Sequence, residues 1–101
     1  MNGINCVTIM GRLTATPELK TSKNGKSFSF FNVAVERDFI PKGGERQADF
    51  FDCIAWDKTA EFLCRNFEKG KMIALNGRLQ TERKDDKTYT NIVVDDVHFC
   101  G

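Results

Sequence analysis

The sequence predicts an all-β fold of five strands, with a single helix between the third and the fourth. Three observations predict it. Five segments alternate apolar and polar residues with the two-residue period of a strand. One segment, from Asp57 to Lys69, repeats instead with the period of a helix. Turn-forming residues fill the gaps between segments. At 101 residues the chain is sized for a single domain, 1–101, and 41% hydrophobic content is enough to build its core.

The elements follow in order. Ile4 to Met10 reads as the first strand, with Gly11 ending it and Thr16-Pro17 marking a turn beyond. Asn24-Gly25 is a strong turn pair. Ser27 to Glu36 is the second strand, with Phe31, Val33 and Val35 on one face and Phe28, Phe30 and Ala34 on the other. Pro41 to Arg46 is a polar hairpin loop, and Asp49 to Trp56 is the third strand. Ala60, Leu63, Cys64 and Phe67 then form a helical stripe, with Asp57 placed as N-cap and Gly70 as the residue after the helix. Phe62 lies opposite that stripe, free or facing a neighbouring element. Alternation returns from Lys71 to Thr81, with Ile73, Leu75 and Leu79 inward. Glu82 to Lys87 is a hairpin tip, and Thr88 to Phe99 is the last strand, broken near its end by Asp95-Asp96. One helix between strands 3 and 4 of five is the layout of the OB-fold, a small barrel that binds oligonucleotides or oligosaccharides across strands 2 and 3.

Composition narrows the function. Fifteen basic and fourteen acidic residues leave a net charge of +1, without the basic excess of a dedicated duplex-DNA binder. No run approaches the ~20 apolar residues of a membrane span. The N-terminus lacks the regions of a signal peptide, which makes a cytoplasmic setting the expectation. Cys6, Cys53, Cys64 and Cys100 form no CxxC pair or zinc spacing, so buried free thiols are expected and no metal. The acidic residues are dispersed and the one histidine, His98, has no nucleophile beside it. No phosphate loop or hydrolase motif is present, so neither catalysis nor a cofactor is expected.

What remains is aromatic. Nine Phe, one Tyr and one Trp are many for this length. Phe50 and Trp56, six residues apart, fall on the same face of the third strand, while Phe51, Cys53 and Ala55 supply the core on the other. Rings left over on a sheet surface are platforms for something flat, and nucleobases are the leading candidate. Phe28 and Phe30 fit a base platform, barrel curvature or a subunit contact equally well from the residues alone.

The chain also resembles, from about Asn5 to Phe99, the bacterial and bacteriophage single-stranded-DNA-binding proteins. The resemblance is carried by Asn5 to Thr14, by Pro17-Glu18-Leu19 followed by Asn24-Gly25, and by Asp49 to Trp56 with the Ala60-Glu61 helix. Lys69-Gly70 and Asn76 to Thr81 complete it. It implies base stacking by Phe39, Phe50 and Trp56. At the family's fourth stacking place, in the last hairpin, Lys84 stands where a ring is expected, with Tyr89 across the hairpin as the available aromatic. Arg12, Arg37, Lys58, Arg78, Arg83, Lys84 and Lys87 are the candidate phosphate contacts.

The implied function is sequence-independent coating of single-stranded DNA in replication, recombination or repair. A homotetramer is implied, or a dimer for a phage variant. The family's long tail, with its acidic and hydrophobic tip, recruits replication and recombination proteins; the sequence stops at Gly101, so recruitment through a tail is not carried over. An RNA-binding or primosome-type OB module, and a protein-interaction OB domain, are the alternative readings.

Overall fold

Val33, Cys53, Ala55, Leu63 and Ile73 are fully buried, and with Leu13, Phe31, Leu75, Ile92 and Val94 they make one core cluster. Each of the Val, Leu, Ile and Phe side chains among them contributes about 1.5–3 kcal/mol when removed from water. The computed structural model, which describes residues 3–100, shows the strands that supply them. In chain order these are β1 (Val7–Leu13), β2 (Lys20–Thr21), β3 (Ser27–Glu36), β4 (Ala48–Trp56), β5 (Met72–Lys84) and β6 (Lys87–Phe99). Helix α1 (Asp57–Asn66) lies between β4 and β5, as the change of period predicts. It plugs the core with Ala60 and Leu63, and Phe67 follows them inward.

The sheet runs β1-β5-β6-β4-β3, and β1 pairs β3 as well, so five long strands close into a ring. This is the OB-fold layout. The short β2 pairs only with β3, on its outer side.

Closure explains several departures from the sequence reading. Gly11 does not end β1; the strand continues to Leu13. At Gly11 the chain passes from β5 to β3, and a Cβ there would collide with the Ala34 carbonyl oxygen and lie 2.8 Å from Val33 Cγ1. Glycine is required by close approach, not by a turn. Asp95-Asp96 does not break β6 but forms a bulge: Asn76 pairs Asp96 while Gly77 pairs Val94. Leu79 points to the inward side of β5 yet is 45% exposed, because the strand has by then left the closed body. The β5-β6 hairpin projects beyond it and turns at Asp85-Asp86, whose positive φ values of 51° and 63° make a two-residue tip.

Helix ends also differ from expectation. Asp57 is the first helical residue, with φ of 52°, and Trp56 occupies the cap with no side-chain hydrogen bond. Gly70 lies beyond the cap at Phe67, in a turn with φ of 87°, and its N–H donates to the Leu13 carbonyl. Phe62 does meet a neighbour: its ring lies 5.4 Å from Phe99 and 6.2 Å from Phe67. Lys71 Nζ covers Phe67 and Phe99 at 5.1 and 5.0 Å. Cys53 is buried as expected, but Cys6 precedes β1 and is exposed.

Candidate nucleic-acid interface

The outer surface of the closed sheet is organised in cross-strand rows, because directly paired residues share a face. Along β4 the outward residues are Phe50, Asp52, Ile54 and Trp56, and their inward neighbours Cys53 and Ala55 are buried. Phe50 is 65% exposed and Trp56 38%, so neither ring is in the core. Six residues of extended chain separate them by about 20 Å.

Four rows cross that face. Trp56 pairs Phe28, which pairs Lys20 of β2. Ile54 pairs Phe30 on one side and Val93 on the other, and Val93 pairs Arg78. Asp52 pairs Asn32. Phe50 pairs Ala34, which pairs Arg12, which in turn pairs Met72. Aromatic or aliphatic surface thus occupies the centre of three rows, with Lys20, Arg78 or Arg12 toward the margin.

Phe30, left open by the sequence, is 57% exposed and stands between the two predicted platforms. Its ring meets Phe28 edge-on at 5.6 Å, and Phe28 lies 5.3 Å from Trp56. The three rings form one continuous apolar ledge. A cleft of about 310 Å3 beside it is lined by Phe30, Ile54, Trp56, Gln80, Glu82 and Asn91 among others. Lys26 was also missed: it lines a second cleft with Trp56, Asp57, Ser22 and Asn24. Its position depends on the β2-β3 turn, where the Lys26 N–H donates to Ser22 Oγ at 3.1 Å. Asn24-Gly25 signalled that turn, but not which strand it would lie against.

The other expected residues are more dispersed. Phe39, 75% exposed, sits in the loop between β3 and β4. Tyr89 is half-exposed on β6 opposite Glu82, and Arg83, Lys84 and Lys87 lie at the hairpin tip. Lys58, in the first turn of α1 two residues beyond Trp56, lines a cleft with Thr59, Phe62, Asp96 and Val97. Arg12 donates to the Gly70 carbonyl at 3.0 Å, Arg78 pairs with Asp95 at 3.1 Å, and Arg83 lies 3.9 Å from Asp86. These surface contacts hold the side chains only lightly.

Arg37 is different. Its guanidinium donates to both Asp49 oxygens, at 3.0 and 2.7 Å, and to Gln47 Oε1 at 3.0 Å. The Asp49 hydrogen bond, with its charge, raises the Arg37 pKa; reciprocally, the Arg37 hydrogen bond holds Asp49 below the usual carboxylate range. Arg37 therefore ties the ends of the Phe39 loop together, in an ion pair that leaves over half of its side chain open to solvent.

An OB-fold with an exposed aromatic sheet face and cations at the margins defines the class of this molecule. The chain belongs to the single-strand binding protein family, whose model matches residues 4–100. It is 42% identical, over 95% of its length, to the single-stranded DNA-binding protein of Oceanobacillus iheyensis, covering 63% of that protein. The protein of the same name in Fusobacterium nucleatum is 44% identical over 95% of this chain and 66% of its own. Single-stranded DNA-binding protein A of Bacillus subtilis is 37% identical over 93% of this chain and 55% of its own. The chain thus spans between about half and two thirds of the length of these relatives.

Proposed function

We propose that this chain binds single-stranded DNA with little sequence preference, protecting it during replication, recombination or repair. The observation that carries the proposal is the ledge of Phe28, Phe30 and Trp56, continued by Phe50, with Lys20, Arg78 and Arg12 at its margins. Each base stacked on such a ring contributes about 1–3 kcal/mol, almost regardless of its identity. Phe39 and Tyr89 extend the stacking surface at its two ends, and Arg12, Lys58, Arg78, Arg83 and Lys84 supply cations for phosphates. Duplex DNA is disfavoured because its bases already stack on one another. The chemistry is binding, without a catalytic step.

The working unit is a homo-oligomer, a tetramer by the family resemblance. Exposed Ile4, Met10 and Leu79 support that reading, since each is apolar and open to solvent in the single chain. The cytoplasm of a bacterial cell is the setting proposed, in keeping with the bacterial relatives. Among the described residues no helix is long and apolar enough to cross a membrane.

The test is a titration of Trp56 fluorescence with oligo-dT, with a duplex of equal length and poly-U as competitors. Strong quenching by oligo-dT, resisted by neither competitor at equal concentration, is the expected result. Unchanged emission at micromolar oligo-dT would favour a protein-interaction domain, and displacement by poly-U at tenfold lower concentration an RNA-binding module.

A further inference from the structure

Three rows of the aromatic face carry a cation; the fourth carries an acid. Asp52 is exposed in the midst of the ledge, one same-face step from Ile54 and one from Phe50. A surface made only to follow phosphates would not place a carboxylate there. The carboxylate is also oriented. The Thr14 hydroxyl donates to Asn32 Oδ1 at 3.2 Å, and Asn32 Nδ2 donates to Asp52 Oδ1 at 3.0 Å. The second oxygen, Oδ2, has no protein partner among the described residues. An open cleft of about 410 Å3 surrounds this chain of hydrogen bonds, lined by Thr14, Phe30, Asn32, Asp52 and Asn91 among others.

Phe30 and Asn32 are successive outward residues of β3, about 7 Å apart. A base stacked on the Phe30 ring is therefore within reach of the Asn32–Asp52 row and can turn its edge to it. A carboxylate accepts hydrogen bonds and donates none. The 4-amino group of cytosine donates, the pairing by which acidic side chains read cytosine in DNA. The 4-keto oxygen of thymine would face the carboxylate acceptor to acceptor. We infer that Asp52 makes this cleft a base-edge subsite that favours cytosine over thymine, within a site that otherwise tolerates any sequence. The inference rests on the proposed binding of single-stranded DNA.

The experiment compares fluorescently labelled oligomers of 5-methyldeoxycytidine and of thymidine, about 16 nucleotides long to suit one OB-fold. Both pyrimidines carry the 5-methyl group, so they differ at the 4-position and the adjacent ring nitrogen. Anisotropy at pH 8, where cytosine is unprotonated, gives Kd for each strand with the wild-type protein, Asp52→Ala and Asp52→Asn. Removing the negative charge tightens binding to both strands, and the ratio of the two Kd values cancels that effect. The ratio Kd(thymidine)/Kd(methylcytidine) is expected to fall by about three- to tenfold in Asp52→Ala, the scale of one charge-assisted hydrogen bond at an exposed site. Asp52→Asn, which keeps the shape and offers thymine a donor, should lower it as well. Tight thymidine binding with a ratio unchanged in both variants would overturn the subsite and leave the proposed function standing. Failure of the wild-type protein to bind either strand would overturn the function and the subsite with it.

Discussion

Trp56 is the residue at which fold and function separate most cleanly. It is the cap of α1 and part of the ledge, yet over a third of its surface is open and it makes no cap hydrogen bond. Trp56→Ala should therefore weaken binding to oligo-dT by about 1–3 kcal/mol. Its melting temperature should stay within a few degrees of wild type; unfolding of the variant would make the ring a core residue. Cys53 offers the complementary test. Burial, with Asp52 adding charge repulsion, pushes its thiol from 9.0 up to about 12. The folded state thus holds that proton more tightly than the unfolded chain does. The associated stability is whole below pH 9 and is lost as pH rises toward 12. Alkaline unfolding should move to higher pH in Cys53→Ala relative to its own neutral-pH stability. With a thiol reagent at pH 8, Cys6 should label fast while Cys53 stays silent until the protein unfolds.

At the scale of elements, two glycines set the shape. Gly77 lies at the bulge, where a Cβ would collide with the Val93 carbonyl oxygen and approach Val94 Cα at 3.0 Å. These are backbone atoms and cannot swing aside. Gly77→Ala should cost about 1–3 kcal/mol in chemical denaturation, whereas alanine at Gly3, which nothing crowds, should be neutral. The contrast shows where sequence reading stops. Period alone located β3 and β4 to within a residue, and parity placed Phe50 and Trp56 outward. Phe30 stayed ambiguous because β3 carries large apolar residues on both faces, and only the closed core shows which face is full. Leu79 points inward as parity predicts yet stays exposed, because parity gives a direction but not the point at which a strand leaves the body. The Arg37–Asp49 clamp was invisible because it depends on the register between β3 and β4. Since Arg37 depresses the Asp49 pKa, the clamp holds fully above the ordinary carboxylate range and loosens as pH falls through the lowered value. Arg37→Gln should free the Phe39 loop, raising amide exchange across 38–47.

For the molecule as a whole, the proposed binding requires that a chain of net charge +1 attract a polyanion. Placement meets that requirement. Arg12 and Lys20 sit at opposite ends of the ledge, and Arg83, Lys84 and Lys87 crowd the tip of a hairpin that lengthens the molecule to 51 Å. The acids that balance them are partly at work elsewhere, Asp49 on Arg37 and Asp95 on Arg78. Stacking and charge then leave different signatures in salt. Each phosphate neutralised on a single strand adds about −0.7 to the slope of log K against log salt. Replacing Arg12, Lys20 and Lys84 together by Gln should make the slope for oligo-dT shallower by about 2, at three such contacts. Trp56→Ala should shift the whole line down by one to two decades without tilting it, because stacking releases no counterions. If the triple variant kept the wild-type slope, those cations would lie off the strand's path. If Trp56→Ala flattened it, the indole would be positioning phosphates and not holding a base.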